Sequence, residues 1–291
     1  MRKTFVKACG TMLSKAPNSA VLLGDIGVHS FSQLANEYPD RVLNLGIMEQ
    51  SMIGVAAGLS SKGIVPTVHS IAPFLVERAL EQIKIDFGYQ KLAGNLVSVG
   101  ASFDYASLGC THHCPADVPI LSNVPEVDIF IPGHPDEFSV QFGHQWDSGA
   151  LNYFRLSETS NSDAHILKRG EVRRLKSGTE AIVLAVGPIL QQVVEAMTNF
   201  DIELHYINSL PKNMELTIPT QLRDVPVITI EPYYPGSLLQ RIVRQVSSSH
   251  LKPSTLGVNV EFSRLYGKYE DHLRKHELDA FSIQKRIEKL L

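Results

Sequence analysis

RVLNLGIMEQSMIGVAAGLSSKGIVPTVHSI, residues 41–71, decides the fold. "RVLNLGI" is a short apolar run closed by a glycine, the form of a buried strand reaching its loop. "IGVAAGLSSKG" comes next as a tightly packed helix of small residues, and "GIVPTVHSI" as a second strand. Strand, helix and strand within 31 residues make the crossover unit of a parallel sheet. One carboxylate, Glu49, stands at the mouth of that helix among Leu45, Gly46, Ile47 and Met48.

The same alternation extends in both directions. Residues 1–16 predict an amphipathic helix with Phe5, Ala8, Cys9, Met12 and Leu13 on one face, and "SAVLLGDIG" (19–27) a strand ending in Gly-Asp. "PFLVERALEQIKIDFGYQ" (73–90) is helical and "NLVSVGAS" (95–102) a strand. The loop "FDYASLGCTHHCPAD" leads on to "VDIFIPG" (127–133) and "LNYFRLS" (151–157) as fifth and sixth strands. The polar stretch "ETSNSDAHILKRGEVRRLKSG" (158–178) carries a basic cluster and no helical apolar stripe, which reads as a linker. A second α/β series then runs through "TEAIVLAVG", "PILQQVVEAMTNF", "IELHYINSL", "VPVITIEP", "GSLLQRIVRQVSSS", "STLGVNVEF" and the closing helix "FSIQKRIEKLL". The expected class is α/β with two parallel-sheet domains, 1–160 and 179–291, joined by a linker over 161–178.

Composition bounds the function. The chain has 291 residues, 44% of them apolar, and a net charge of −3, so it lacks the basic excess of a nucleic-acid binder. No run reaches 18 apolar residues and no leader pattern opens the chain, so a cytoplasmic protein without a membrane span is expected. Three cysteines, Cys9, Cys110 and Cys114, argue against a disulfide framework. The spacing C-x-H-H-C around His112 and His113 fits no common zinc pattern, and no metal site is expected on this chain. Ligands of open parallel sheets sit at the C-terminal strand ends. Asp25, Glu49 and the His112–His113 pair fall there. Individually they read equally well as a turn cap, an ion-pairing residue and a solvated loop. Together they point to an enzyme or ligand-binding module of unspecified class.

The segments "GDIGVHSF" and "RVLNLGIMEQSMIGVAAGLSSKGIVPTVHSIAPFLVERALEQIKID" resemble the pyrimidine-binding domain of transketolase-like, thiamine-diphosphate-dependent enzymes. The hallmark N-x-G-I-x-E-Q-x-M is matched by Asn44, Gly46, Ile47, Glu49, Gln50 and Met52. "GCTHHCPADVPILSNVPEVDIFIPGHPDEF" is similar to the family's G-x-T-H-Q segment and its continuation, and the second series to its C-terminal domain. The resemblance implies that Glu49 is the catalytic carboxylate. It hydrogen-bonds the cofactor's pyrimidine N1′ and favours the imino form that takes the proton from thiazolium C2, and a partly desolvated carboxylate able to share a proton suits that role. It further implies Phe74 as the flat wall for the pyrimidine, with Ile71, Asp25 and Arg78 beside the cofactor. His112 is the catalytic, substrate-contacting histidine, with His113 and Glu158 as further substrate-binding positions.

No Gly-Asp-Gly occurs in the chain, although that motif holds the diphosphate and Mg²⁺ in such enzymes. The implied partner is an N-terminal transketolase-like subunit carrying the diphosphate and Mg²⁺ site, in an α₂β₂ heterotetramer. The expected reaction is transfer of a two-carbon ketol or acyl unit from a keto donor to an aldehyde. The alternatives are a 2-oxoacid-decarboxylating enzyme, similar to the pyruvate dehydrogenase beta subunit or deoxyxylulose-phosphate synthase, and a non-catalytic binding subunit. Three positions depart from the pattern: Leu108 replaces an acid, Gly100 or Ala101 a histidine, and Glu158 an arginine that grips phosphate. Glu158 is expected to repel a phosphorylated acceptor.

Overall fold

A computed structural model describes residues 1–217, 225–245 and 252–291. The chain opens with α1 (Arg2–Lys15), β1 (Ser19–Leu23), α2 (Val28–Glu37), β2 (Val42–Asn44), α3 (Glu49–Ser60) and β3 (Val65–Ile71). A helical stretch comes next whose turns are π-helical over Pro73–Glu77 and Ile83–Tyr89, with one α turn between them, α4 (Leu80–Gln82). Then come β4 (Gly94–Val99), α5 (Asp117–Ser122), β5 (Val127–Phe130), α6 (Pro135–Gln145) and β6 (Leu151–Arg155). The second half comprises β7 (Arg173–Lys176), β8 (Ile182–Val186), α7 (Leu190–Ala196), β9 (Glu203–Ile207), β10 (Ser209–Leu210), β11 (Pro226–Glu231), α8 (Ser237–Gln245), β12 (Lys252–Gly257), α9 (Tyr269–Lys275) and α10 (Ala280–Glu288).

These elements make two mostly parallel sheets, as the alternation predicts. The first has the order β10-β5-β6-β4-β3-β1-β2 and the second β12-β11-β8-β9-β7. In the first sheet the chain leaves β1 toward β2 on one side and β3 toward β4 on the other. Loops diverge above the adjacent β1 and β3, which opens a crevice at their C-terminal ends. Leu22, Met52, Ile53, Ala56, Val68 and Leu96 form the core beneath one face, and Phe5, Phe31, Val97 and Phe154 beneath the other. The small residues of α3 let that helix lie close to the sheet.

Three local readings change. Residues 173–176, inside the expected linker, form the edge strand β7, antiparallel to β9. Its alternate half-buried and exposed residues mark a one-faced strand, with Arg174 and Lys176 on the exposed face. "IELHYINSL" is two strands, because the chain leaves the second sheet at Asn208 and its β10 pairs antiparallel with β5 of the first. Asn208 is buried and donates to the carboxylate of Glu137 on α6 at 2.9 Å. Tyr206 Oη, the Gly133 amide and the His165 amide converge on the same carboxylate, so one buried glutamate fastens the two sheets together. "STLGVNVEF" is shifted, since β12 begins at Lys252 and ends at Gly257. The final residues of the helix read over 236–249 lie outside the described residues.

Candidate functional site

Glu49 is the first residue of α3 and is only 1% exposed. Its carboxylate is held on both oxygens: Ser70 Oγ donates to Oε1 at 2.8 Å and Arg78 Nη1 to Oε2 at 2.5 Å. Ser70 lies near the end of β3, and Arg78 on the helical stretch after it. Gly24 makes room at the end of β1, where a Cβ would come within 3.1 Å of Ser70 Oγ.

The motif asparagine explains how α3 is aimed. Asn44 Oδ1 accepts from the amides of Asp25 and Gly46 at 3.0 and 3.2 Å, and its amide donates to Asp25 Oδ1 at 3.1 Å. The side chain thus clips the turn after β1 to the turn before α3. Gly46 has φ of +79°, a conformation that costs glycine nothing, and open space where a Cβ would be. Asp25 is exposed at the strand end with φ of +62°, shaping the turn from outside.

Phe74 is half-buried one turn before Arg78. The Arg78 guanidinium carbon sits 4.2 Å from its ring centroid, and the His112 ring meets it edge-on at 5.2 Å. Ile71 is buried in the core below, near Val97, Val99 and Tyr105. His112 Nδ1 is 3.0 Å from Thr111 Oγ1, and Tyr105 stands edge-on at 6.2 Å. Glu49, Arg78, Phe74 and His112 are therefore brought together. Ile47 and Met48 flank them, 69% and 52% exposed, so this edge is an open face with apolar shoulders.

The other predicted positions lie elsewhere. His113 is buried with its ring against Phe103 and His272, and burial lowers its pKa. His272 and His276 both stack on Phe103, and burial takes His272 down to about 4. His113 therefore anchors the loop to the second half of the chain. His69 lies inside β3 and donates from Nδ1 to the Val97 carbonyl at 2.8 Å. Glu158 is not an unpaired charge. Arg2 Nη2 donates to it at 2.9 Å and also bonds Tyr105 Oη, so the repulsion expected for a phosphate is offset by an adjacent cation. Among the described residues, no group of three or more His, Cys, Asp or Glu side chains could hold a metal ion.

Sequence reasoning did not single out Ser70, Arg2, Tyr105 or Asp104. Asp104 accepts from the Ala101 and Glu158 amides and from Ser157 Oγ, and burial pushes its pKa up to about 7. It ties the loop after β4 to the loop after β6. Only Ser70 left a signal, as a small polar residue at the end of an apolar strand.

The site fits a flat heteroaromatic base. It offers a desolvated carboxylate that still has lone pairs, an aromatic face beside it, and an uncrowded turn at Gly46. The diphosphate and metal of such a cofactor find no comparable donor set among the described residues.

The comparisons with known proteins agree with that geometry. Residues 1–160 match the family model described as transketolase, pyrimidine binding domain. The 33.6 kDa protein in the fasciation locus of Rhodococcoides fascians is 37% identical, over 98% of this chain and 94% of its own length. An apulose-4-phosphate transketolase subunit of Actinobacillus succinogenes is 29% identical, over 97% of this chain and 94% of that protein. A split gene transketolase, solved as an inactive beta4 tetramer, superposes with a TM-score of 0.84 across 100% of this chain and 97% of that one, at 24% identity, a likeness of fold. The chain belongs to the transketolase family, as a C-terminal subunit of the split, transketolase-like kind.

Proposed function

We propose that this chain is the C-terminal half of a thiamine-diphosphate-dependent transferase that moves a two-carbon ketol unit from a keto donor to an aldehyde. The observation that carries the reading is the Glu49 carboxylate, buried between Ser70 and Arg78 at the switch point of the first sheet and beside the Phe74 ring. Thiamine diphosphate, when bound, supplies the nucleophilic carbon that takes up the transferred unit. Glu49 holds a proton at the pyrimidine ring nitrogen, and its burial keeps water from that position. Phe74 gives the ring an apolar face, above the core that holds Ile71. Asp25 acts through Asn44, fixing the turn that aims α3. His112, half-exposed and edge-on to Phe74, bonds a substrate oxygen and passes a proton to it. His113 holds the loop, and Glu158 with Arg2 forms the outer rim.

In this reading a partner subunit supplies the diphosphate and Mg²⁺ site, and the exposed Ile47 and Met48 shoulders are the surface it covers. The assembly is an α₂β₂ heterotetramer working in the cytoplasm, with residues 1–160 as the pyrimidine-binding domain and 179–291 as the C-terminal domain. Calorimetry tests the division of labour. The isolated chain should show weak binding of thiamine diphosphate that Mg²⁺ does not improve, and addition of the N-terminal subunit should produce tight, Mg²⁺-dependent binding. Tight, Mg²⁺-dependent binding by the isolated chain would overturn the two-subunit reading.

A further inference from the structure

Arg78 makes two bonds at once. Its Nη1 donates to Glu49 Oε2 at 2.5 Å, and its guanidinium carbon lies over the Phe74 ring, 4.2 Å from the centroid. An aminopyrimidine asks for the same pair of contacts: a hydrogen-bond edge toward a carboxylate and a π face on an aromatic ring. A guanidinium is planar, delocalised, cationic and weakly hydrated, so it meets that demand closely. The carboxylate it covers is 1% exposed, while the Arg78 side chain itself is 39% exposed. Half of the pair is therefore fixed in the fold and half borders water, and the arginine is free to leave without exposing the core.

We propose that Arg78 is an internal stand-in ligand, filling the base site of the free chain and leaving when a planar nitrogen base enters. The proposal rests on the reading of Glu49 and Phe74 as the base site and deepens it, because it makes the isolated subunit closed. It also revises the place of Arg78 beside the cofactor: the arginine competes with the pyrimidine for one carboxylate. A second consequence concerns ligand class. The site accepts planar cations with N–H edges, so guanidinium and acetamidinium are its simplest ligands once Arg78 is removed.

If the arginine covers the carboxylate at least nine-tenths of the time, its removal raises the apparent affinity of the free chain about tenfold or more. The test compares wild type with Arg78→Ala, Arg78→Gln and Arg78→Lys, as isolated chains and with the partner subunit. The first readout is calorimetric affinity for 4-amino-2-methylpyrimidine and for thiamine lacking the diphosphate. Arg78→Ala should bind both about tenfold or more tightly than wild type, and millimolar acetamidinium should compete. Arg78→Lys keeps the charge but has no flat face, and should fall between wild type and Arg78→Ala. Arg78→Gln guards against misfolding in the alanine variant, since an amide keeps a donor to Glu49.

Equal affinities in wild type and in folded Arg78→Ala and Arg78→Gln, with no competition by acetamidinium, overturn the stand-in. Should the wild-type pair nonetheless bind thiamine diphosphate, the reading of the site survives that result. Absence of thiamine diphosphate binding by the wild-type pair, in a complex shown to be assembled, removes the reading itself and the stand-in with it.

Discussion

Two arginine–carboxylate pairs around the first sheet use the same chemistry to opposite ends. Arg155 and Asp117 are 1% and 0% exposed and 2.7 Å apart. Tyr153 donates to the same Asp117 oxygen at 2.7 Å, and Arg155 Nη2 donates to Ser102 Oγ at 2.6 Å. Ser102 in turn bonds the Pro232 carbonyl, and Arg155 lies over the Tyr233 ring. Both partners of this pair are sealed, and it joins α5, β6, the loop after β4 and the turn that follows β11. Arg78 and Glu49 are 2.5 Å apart with only the carboxylate sealed. A pair closed on both sides is a strut, whereas a pair open on one side can exchange its partner. Which of the two a sequence contains is decided by what covers the arginine.

Glu49→Gln should give the largest effect in the molecule, and on activity alone. The amide still accepts and donates hydrogen bonds but cannot hold the shared proton, so turnover of the assembled enzyme should fall on the order of 10⁴-fold or more. Thermal unfolding should move little. Steady-state kinetics and H/D exchange at the thiazolium C2 of bound cofactor check this together, and both should slow in parallel. Near-normal exchange in the variant would make Glu49 a structural residue and erase the contrast between the pairs.

Arg155→Met should act in the reverse sense. It leaves Asp117 charged and buried with only Tyr153 beside it, which costs about 3–5 kcal/mol of stability. Denaturant unfolding of the isolated chain measures that loss. A variant as stable as wild type would mean that water reaches Asp117 and that the junction is looser than its contacts indicate.

The sheet beneath the site depends on neutrality, which pH can test. Burial lowers the pKa of His69 to about 4, against the opposing bond to the Val97 carbonyl. The unfolded chain takes up this proton below about 6.5, and the folded chain only near 4. The histidine's contribution is therefore fully present above pH 6.5 and is lost progressively as the pH falls to 4. The whole loss amounts to about 3 kcal/mol. Replacing His69 by Asn keeps a donor for Val97 and cannot titrate, so stability measured from pH 7 to 4 should fall less steeply than in wild type. Part of the slope should remain, because His272 is also held near 4 by burial. Identical slopes in the two proteins would place the acid sensitivity elsewhere.

Much of this architecture was open to reading in the sequence. The strand–helix alternation is legible because buried parallel strands are continuous apolar runs and their helices carry stripes. Asn44, Gly46 and Glu49 are legible because their chemistry is local: a clip, a left-handed turn and a carboxylate fall within six residues. The partners of those groups were not legible. Ser70 and Arg78 reach Glu49 across 21 and 29 residues, and Arg2 reaches Glu158 across 156. Spacing along a chain says nothing of such meetings, which is why Glu158 alone suggested repulsion and the structure reports a neutralised rim. The edge strand β7 and the passage of β10 to the first sheet were lost for a related reason: short strands gain their identity from the sheet they join.

The smallest expected effect is the most discriminating one. Arg78→Gln removes a charge from Glu49, as Arg155→Met does from Asp117, so a count of ion pairs predicts equal damage. The geometry predicts otherwise. The Arg78 head borders water and its vacated place is solvated, while Ser70 continues to bond Oε1. The loss should then resemble that of an exposed pair, about 1 kcal/mol or less. Urea unfolding of the cofactor-free chain, run beside Arg155→Met, reads the difference directly. A cost for Arg78→Gln as large as for Arg155→Met would mean that the Glu49 pair is a strut too, built into the core and unable to yield its carboxylate to a ligand.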